Sequence, residues 1–77
     1  NPFNSTVRIS FEVPEKLRGK VSLMIVNVLG QSVARFDGQE LKNGFVDWKA
    51  DGCASGLYLA RLAAGEQSDF AKLMLVK

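Results

Sequence analysis

The side chains that could take part in catalysis in this chain are one thiol and several carboxylates. Their spacing along the sequence does not predict a catalytic site. The sequence contains no histidine, so Cys53 has no imidazole base to activate its thiol. Asp37, Asp47, Asp51 and Asp69 are scattered over turns without a pairing that would shift a pKa. The sequence also lacks the Asp-x-Asp spacing and the Glu-terminated loop of calcium sites. We therefore predict no enzymatic activity, no metal and no cofactor.

The basic residues do not predict a nucleic-acid partner. Ten Lys and Arg against eight Asp and Glu give a net charge of +2, and the charges are spread singly along the chain. The densest basic stretch, from Lys16 to Lys20, lies beside Glu12 and Glu15 and has no interleaved aromatic residues for base stacking. Cys53 is the only cysteine, so no intrachain disulfide can form, and we interpret it as a half-buried turn residue.

The aromatic residues are interpreted as core rather than as a ligand platform. Phe11, Phe36, Phe45 and Trp48 are expected to fill the interior. Stacking sites for sugars need exposed aromatic rings, and this chain has few to spare. A sugar-binding accessory domain is a minor alternative that would require such a platform, and no small-molecule substrate is predicted.

The first element that must position these residues is a strand from Thr6 to Val13. Its apolar residues alternate with polar ones, which is the period of a strand with one wet face. Pro14 and Gly19 end this strand and frame a short loop, so we predict a hairpin with the next strand.

The second strand, Val21 to Val26, is expected to be central. Val21, Leu23 and Ile25 share one face, while Met24 and Val26 indicate that the other face is also covered near the end of the strand. Gly30 in the stretch 27–31 predicts a tight turn and a second hairpin, with an extended segment from Ser32 to Phe36.

Further strands follow after the turn dipeptides Asp37-Gly38 and Asn43-Gly44. Residues 39–42 read as a loop or a short edge strand, and 45–48 as a strand. Residues 49–56 are small, polar or Gly, which predicts a loop that crosses from one sheet to the other. The segments 57–63 and 70–76 are predicted to pair antiparallel across a turn-rich connector, 64–69.

Together these elements predict an all-β fold: a β-sandwich of about seven short antiparallel strands in two sheets, with no long helix. The 77 residues have room for one domain, 1–77, and because residue 1 is not Met we expect a module of a longer secreted protein. No apolar run reaches the 18 or so residues of a membrane-spanning helix.

The terminal segment, Lys72 to Lys77, carries a lysine at each end. An odd separation places the two lysines on opposite faces of an unbroken strand, so they are expected to mark its two ends rather than form one basic clamp. One interpretation is a recognition label. The alternative is that both are edge charges that discourage aggregation between sheets.

Four stretches carry a resemblance to a known family. They are Asn1-Pro2-Phe3-Asn4 before the first strand, 21–31 with its Leu-Gly turn, Ser55-Gly56-Leu57-Tyr58, and 72–77. Their order and spacing resemble the type A C-terminal sorting domain of type IX secretion cargo, which is kin to the immunoglobulin-like domain of flagellar hook-capping proteins. The loop after Trp48 is shorter than in many relatives, which favours the sorting branch.

The resemblance implies an immunoglobulin-like sandwich that directs its cargo across the outer membrane and is then removed or exchanged for a surface anchor. The implied partners are type IX translocon and sortase components and an N-terminal cargo domain, in a Gram-negative bacterium whose cargo is secreted or displayed on the surface. The implied recognition residues are Gly56, Tyr58, Lys72, Leu73, Met74, Leu75, Val76 and Lys77. Gly56 and Tyr58 also have a structural interpretation, in which Gly56 supplies backbone freedom and Tyr58 packs its ring and bonds the backbone through its hydroxyl.

A passive alternative stays open from the residues themselves. The ordinary charge balance and the lack of a site are equally typical of an immunoglobulin-like spacer or interaction module in a secreted multidomain protein. Such a module would not export a reporter protein to which it is grafted.

Overall fold

The computed structural model of the chain describes the backbone of residues 2–3 and all of residues 5–12 and 19–77. Its strands are β1 Pro2–Phe3, β2 Thr6–Ser10, β3 Val21–Val26, β4 Ser32–Asp37, β5 Phe45–Lys49, β6 Gly56–Ala64 and β7 Gln67–Leu75. A 3₁₀ turn, Gly38–Leu41, connects β4 to β5 where a loop or short edge strand was expected. The predicted end of the first strand at Val13 and the turn residue Pro14 lie outside the described residues.

The strands form two sheets that pack as a small β-sandwich. One sheet has five strands in the order β1-β7-β6-β3-β4, and the other consists of β2 and β5. The pairings among the described strands are antiparallel except that of the two-residue β1, which runs parallel to the end of β7. The predicted all-β sandwich is therefore confirmed, as are the interior position of β3 between β6 and β4, the β3–β4 and β6–β7 pairings, and the change of sheet between β5 and β6. The second cover expected over Met24 and Val26 is not supplied by any described strand, because the small sheet packs on the opposite face of β3.

The predicted hairpin between the first two long strands is wrong. β2 pairs with β5, with Thr6 opposite Lys49 and Ser10 opposite Phe45, whereas β3 pairs with β4 and β6. Alternation along β2 encodes which face is buried but not which strand lies beside it, so the local pattern could not identify a partner so distant in sequence.

The core lies between the two sheets. Leu23, Ile25 and Leu75 are the largest of its fully buried side chains, each under 2% exposed. The other members of the core cluster are Ile9, Val21, Leu41, Trp48, Ala50, Tyr58, Ala60, Ala64 and Leu73. Phe11 and Phe36 pack against this cluster as expected.

Phe45 does not fill the core. Its ring lies on the outer face of the small sheet, with the Arg8 guanidinium carbon 4.1 Å from the ring centroid. Trp48 is buried in the same strand. Since the two residues are separated by an odd number of positions, a strand that buries Trp48 must turn Phe45 outward.

Two turns define the ends of the long hairpins. Gly30 has a φ of 81° in the β3–β4 turn, a conformation that favours glycine. The β6–β7 turn is shorter than the predicted connector, because both strands extend until only Gly65 and Glu66 remain between them, with Gly65 at a φ of 63°. Gly19 lies in a short 3₁₀ turn directly before β3 and needs no such φ.

Candidate functional site

The terminal strand β7 is held unequally on its two sides. β6 pairs with it along its whole length, from Gln67 opposite Ala64 to Leu75 opposite Gly56. On the other side, β1 covers only Met74 and Leu75. No other described strand lies against this edge, so the backbone from 67 to 73 presents an edge that a further strand could join.

The side chains of the terminal segment divide by face. Leu73 and Leu75 point into the core and are 6% and 1% exposed. Met74 and Val76 are 41% and 52% exposed, and Lys72 and Lys77 are also exposed. The predicted recognition residues of this segment therefore form a buried group and an exposed group, and a receptor could contact only the exposed side chains of the folded domain.

The lysines do not mark the two ends of the strand as expected. β7 begins at Gln67, so Lys72 lies within it, and it ends at Leu75, so Lys77 lies beyond it. The strand extends further toward its amino end because Phe70 and its neighbours pair with Arg61, Leu62 and Ala63 of β6.

Both predicted recognition motifs meet at one end of the large sheet. Gly56, Leu57 and Tyr58 lie opposite Leu75, Met74 and Leu73. The backbone N–H of Lys77 also donates to Ser55 Oγ at 3.0 Å, which ties the chain end to the residue before Gly56. Ser55 belongs to the Ser55–Tyr58 motif, but its residue type and position along the chain do not predict this contact.

Gly56 and Tyr58 occupy positions that agree with their structural interpretation. Gly56 opens β6 with a φ of 150°, and Tyr58 is 6% exposed. The Tyr58 hydroxyl donates to the carbonyl of Ala54 at 2.6 Å. Its ring meets Trp48 edge to face at a centroid distance of 5.3 Å. A part for these residues in recognition stays a prediction.

A protein-family model described as "Secretion system C-terminal sorting domain" matches residues 1–77, the whole chain. The chain belongs to this family. No curated protein and no solved structure matches it. The predicted identity is thereby confirmed.

Membership gives the sorting domain its function. It is the C-terminal sorting signal for type IX secretion, recognised by the type IX secretion machinery, and it implies export across the outer membrane to the cell surface or the extracellular space. The passive-module alternative is not favoured. The family is not known as enzymatic.

The pKa shifts in the sorting domain arise from burial and from contacts between neighbouring residues. Arg8 and Asp47 form a two-pronged ion pair across β2 and β5, at 2.8 and 3.2 Å, and the hydrogen bond from Arg8 holds the pKa of Asp47 below its usual range. The expectation that Asp47 lies in a turn without a pairing that shifts its pKa is therefore wrong, because Asp47 lies in β5 directly opposite Arg8. Burial raises the pKa of the Tyr58 hydroxyl, and Cys53 raises it further. Cys53 is half-buried in its turn, as expected.

The described residues also form a surface depression away from the terminal segment. Its volume is about 530 Å³, and it is lined by residues that include Phe11 and Leu41. Within residues 5–12 and 19–77, no cluster of His, Cys, Asp or Glu could hold a metal ion. In the same part of the chain, no helix is long and apolar enough to cross a membrane.

Proposed function

We propose that type IX translocon and sortase components recognise this sorting domain through the exposed side chains of its terminal segment, while an N-terminal cargo domain remains attached to it. The observation that supports the proposal is the division of that segment. Lys72, Met74, Val76 and Lys77 face solvent, while the intervening Leu73 and Leu75 anchor the strand in the core.

The physical basis is β-augmentation. A receptor strand that joins the open edge of β7 between residues 67 and 73 would gain main-chain hydrogen bonds. Lys72 would set its register within that edge, and Met74, Val76 and Lys77 would extend the contact beyond the edge. Gly56 and Tyr58 act in this proposal by holding β6, the strand on which β7 rests. Their contribution is to position the terminal segment rather than to touch the receptor.

We also propose a fate for the domain after export. The bacterium is Gram-negative, residues 1–77 travel as one domain at the end of a secreted or surface-displayed protein, and the domain is removed or exchanged for a surface anchor after export. It acts without catalysis, cofactor, nucleic acid or small-molecule substrate.

The test is a charge reversal that leaves the core intact. In a full-length cargo, Lys72→Glu with Lys77→Glu is expected to lower export by about tenfold or more, which corresponds to the loss of about 1.4 kcal/mol of binding, and to leave the cargo in the periplasm. The matched control is Lys20→Glu with Lys49→Glu, which alters two exposed lysines outside the terminal segment. Export is measured by immunoblotting of the medium and the periplasm.

Equal export of the two double variants would contradict recognition through the terminal lysines. Grafting residues 1–77 onto a periplasmic reporter gives an independent measurement. A reporter that stays in the periplasm would instead support a passive module.

A further inference from the structure

The large sheet is apolar on both faces. Its inner face packs on β2 and β5, while its outer face carries alternate residues of β3, β6 and β7. Cross-strand pairing places Leu57 beside Met74, and Leu59 between Lys72 and Val26. The outer row that follows contains Phe70, Arg61 and Met24. We call the set Met24, Val26, Leu57, Leu59, Arg61, Phe70, Lys72 and Met74 the outer patch.

The apolar members of the outer patch are not part of the core. Met24, Val26, Leu57 and Leu59 are half-buried by their neighbours in the sheet, yet none belongs to the core cluster or to the hydrophobic residues packed against it. Phe70 is 60% exposed. Strands with apolar residues on both faces are typical of sheets that are covered on both sides. β2 and β5 cover only the inner face of this sheet, so its outer face is left as an exposed apolar surface.

The apolar surface continues onto the β3–β4 turn at the same end of the sheet. Val28 and Leu29 are 74% and 79% exposed there. The turn is held by Asn27, whose Oδ1 accepts the backbone N–H of both Leu29 and Gln31 at 3.0 Å. These contacts present the two apolar side chains on a turn that is already ordered, so docking them costs little conformational entropy.

The two charged members of the outer patch, Arg61 and Lys72, are both cations. Among the described residues, Arg61 and Lys72 make no ion pair, and Asp37 on the neighbouring strand β4 is bound to Arg35 at 3.4 Å. A second copy of the chain laid against this face would bring like charges together. A partner surface with an apolar centre and a rim of carboxylates would match it.

We propose that the outer patch is a docking surface for a component of the type IX machinery that presents an apolar, carboxylate-rimmed surface. This inference rests on the proposed function, and it adds contacts on β3 and β6 that lie outside the terminal segment. The partner would then contact a folded surface to which the terminal strand contributes, and not the linear terminal segment alone.

The first experiment changes the outer patch without touching the terminal segment. In the full-length cargo, Arg61→Glu and Leu59→Ser are each expected to lower export about tenfold, the effect of losing one well-buried contact. Lys49→Glu, on the small sheet, is the matched control and should export normally. The thermal midpoint of each purified domain, followed by Trp48 fluorescence, checks that the fold survives.

The second experiment identifies the occupant. A photo-crosslinking amino acid at position 59 of the exported cargo is expected to label a protein of the type IX machinery, and one at position 49 is not. Labelling of lipid, labelling of a second copy, or no labelling at position 59 would each overturn the inference. Normal export of the folded Arg61→Glu and Leu59→Ser variants would also overturn the inference. If the Lys72→Glu with Lys77→Glu variant were defective in export in the same experiment, the proposed function would still stand.

Discussion

Tyr58 connects three parts of the fold through one residue. Its ring packs on Trp48 of β5, its hydroxyl bonds to Ala54 in the loop that crosses between the sheets, and its backbone lies opposite Leu73 of the terminal strand. An aromatic ring with a polar end suits this position, because the ring fills the core while the hydroxyl satisfies a loop carbonyl. The buried side of the terminal segment therefore depends on a residue that the sequence places well before it.

We predict an alkaline limit to stability that originates at Tyr58. Burial raises the pKa of its hydroxyl, and Cys53 raises it further. The ordinary value for tyrosine is about 10, so the neutral phenol stabilises the fold fully below that pH, and this contribution is lost as the pH rises through the raised pKa of the folded state. Tyrosinate absorbance of the folded domain should therefore titrate above pH ~10.

Tyr58 is the only tyrosine, so this absorbance reports a single group. Tyr58→Phe should abolish the signal and the part of the alkaline loss of stability that belongs to this hydroxyl. Cys53→Ala should lower the titration midpoint only slightly, because burial is the larger cause. A midpoint at or below the ordinary value would contradict the prediction.

At the scale of elements, Gly30 and Gly19 of the predicted turn motif differ in their backbone conformation. Gly30 has a φ of 81°, so Gly30→Ala should lower the free energy of unfolding by about 1–2 kcal/mol, the cost of placing a Cβ in the left-handed region. Gly19 has no such φ, and a Cβ added there would meet nothing within 4 Å. Gly19→Ala should therefore change stability by less than about 0.5 kcal/mol.

Urea unfolding followed by Trp48 fluorescence measures both variants, since Trp48 is the only tryptophan and is buried. Similar losses in the two variants would show that the β3–β4 turn does not depend on the backbone freedom of Gly30. The result also bears on docking, because the same turn presents Val28 and Leu29 beyond the outer patch.

At the scale of the whole molecule, the terminal strand is both a signal and a part of the core. Deleting 73–77 removes Leu73 and Leu75, and truncation of each such leucine typically costs about 2–5 kcal/mol. Domains of this size have a total stability of roughly 4–12 kcal/mol. We therefore expect the isolated truncated domain to lose its cooperative urea transition.

Deleting only 76–77 is the matched control, because these residues lie beyond the end of β7 and are exposed. That shorter deletion should keep a cooperative transition, and its loss would contradict this account of the core. An export defect of the longer deletion could therefore result from unfolding as well as from the loss of recognition residues. Charge reversal at exposed lysines separates the two.

Much of the fold follows from short-range patterns in the sequence. Alternation from Val21 to Ile25 places that strand's buried face, and turn chemistry around Gly30 places the hairpin. The structural interpretation of Tyr58 anticipated its packed ring and backbone hydrogen bond. Family membership was also recognisable, because four short motifs kept their order along the chain, and the full-length family match confirms it.

Tertiary structure alone decided which strands lie side by side. It paired β2 with β5 instead of β3, added β1 in parallel beside the end of β7, and placed Lys72 within the last strand. It also placed β3, which is distant in sequence, beside the β6–β7 hairpin and so completed the outer patch. The physical reason is that side-chain alternation encodes the face that each residue occupies, whereas the choice of neighbour depends on how the sheets bury their apolar surfaces together.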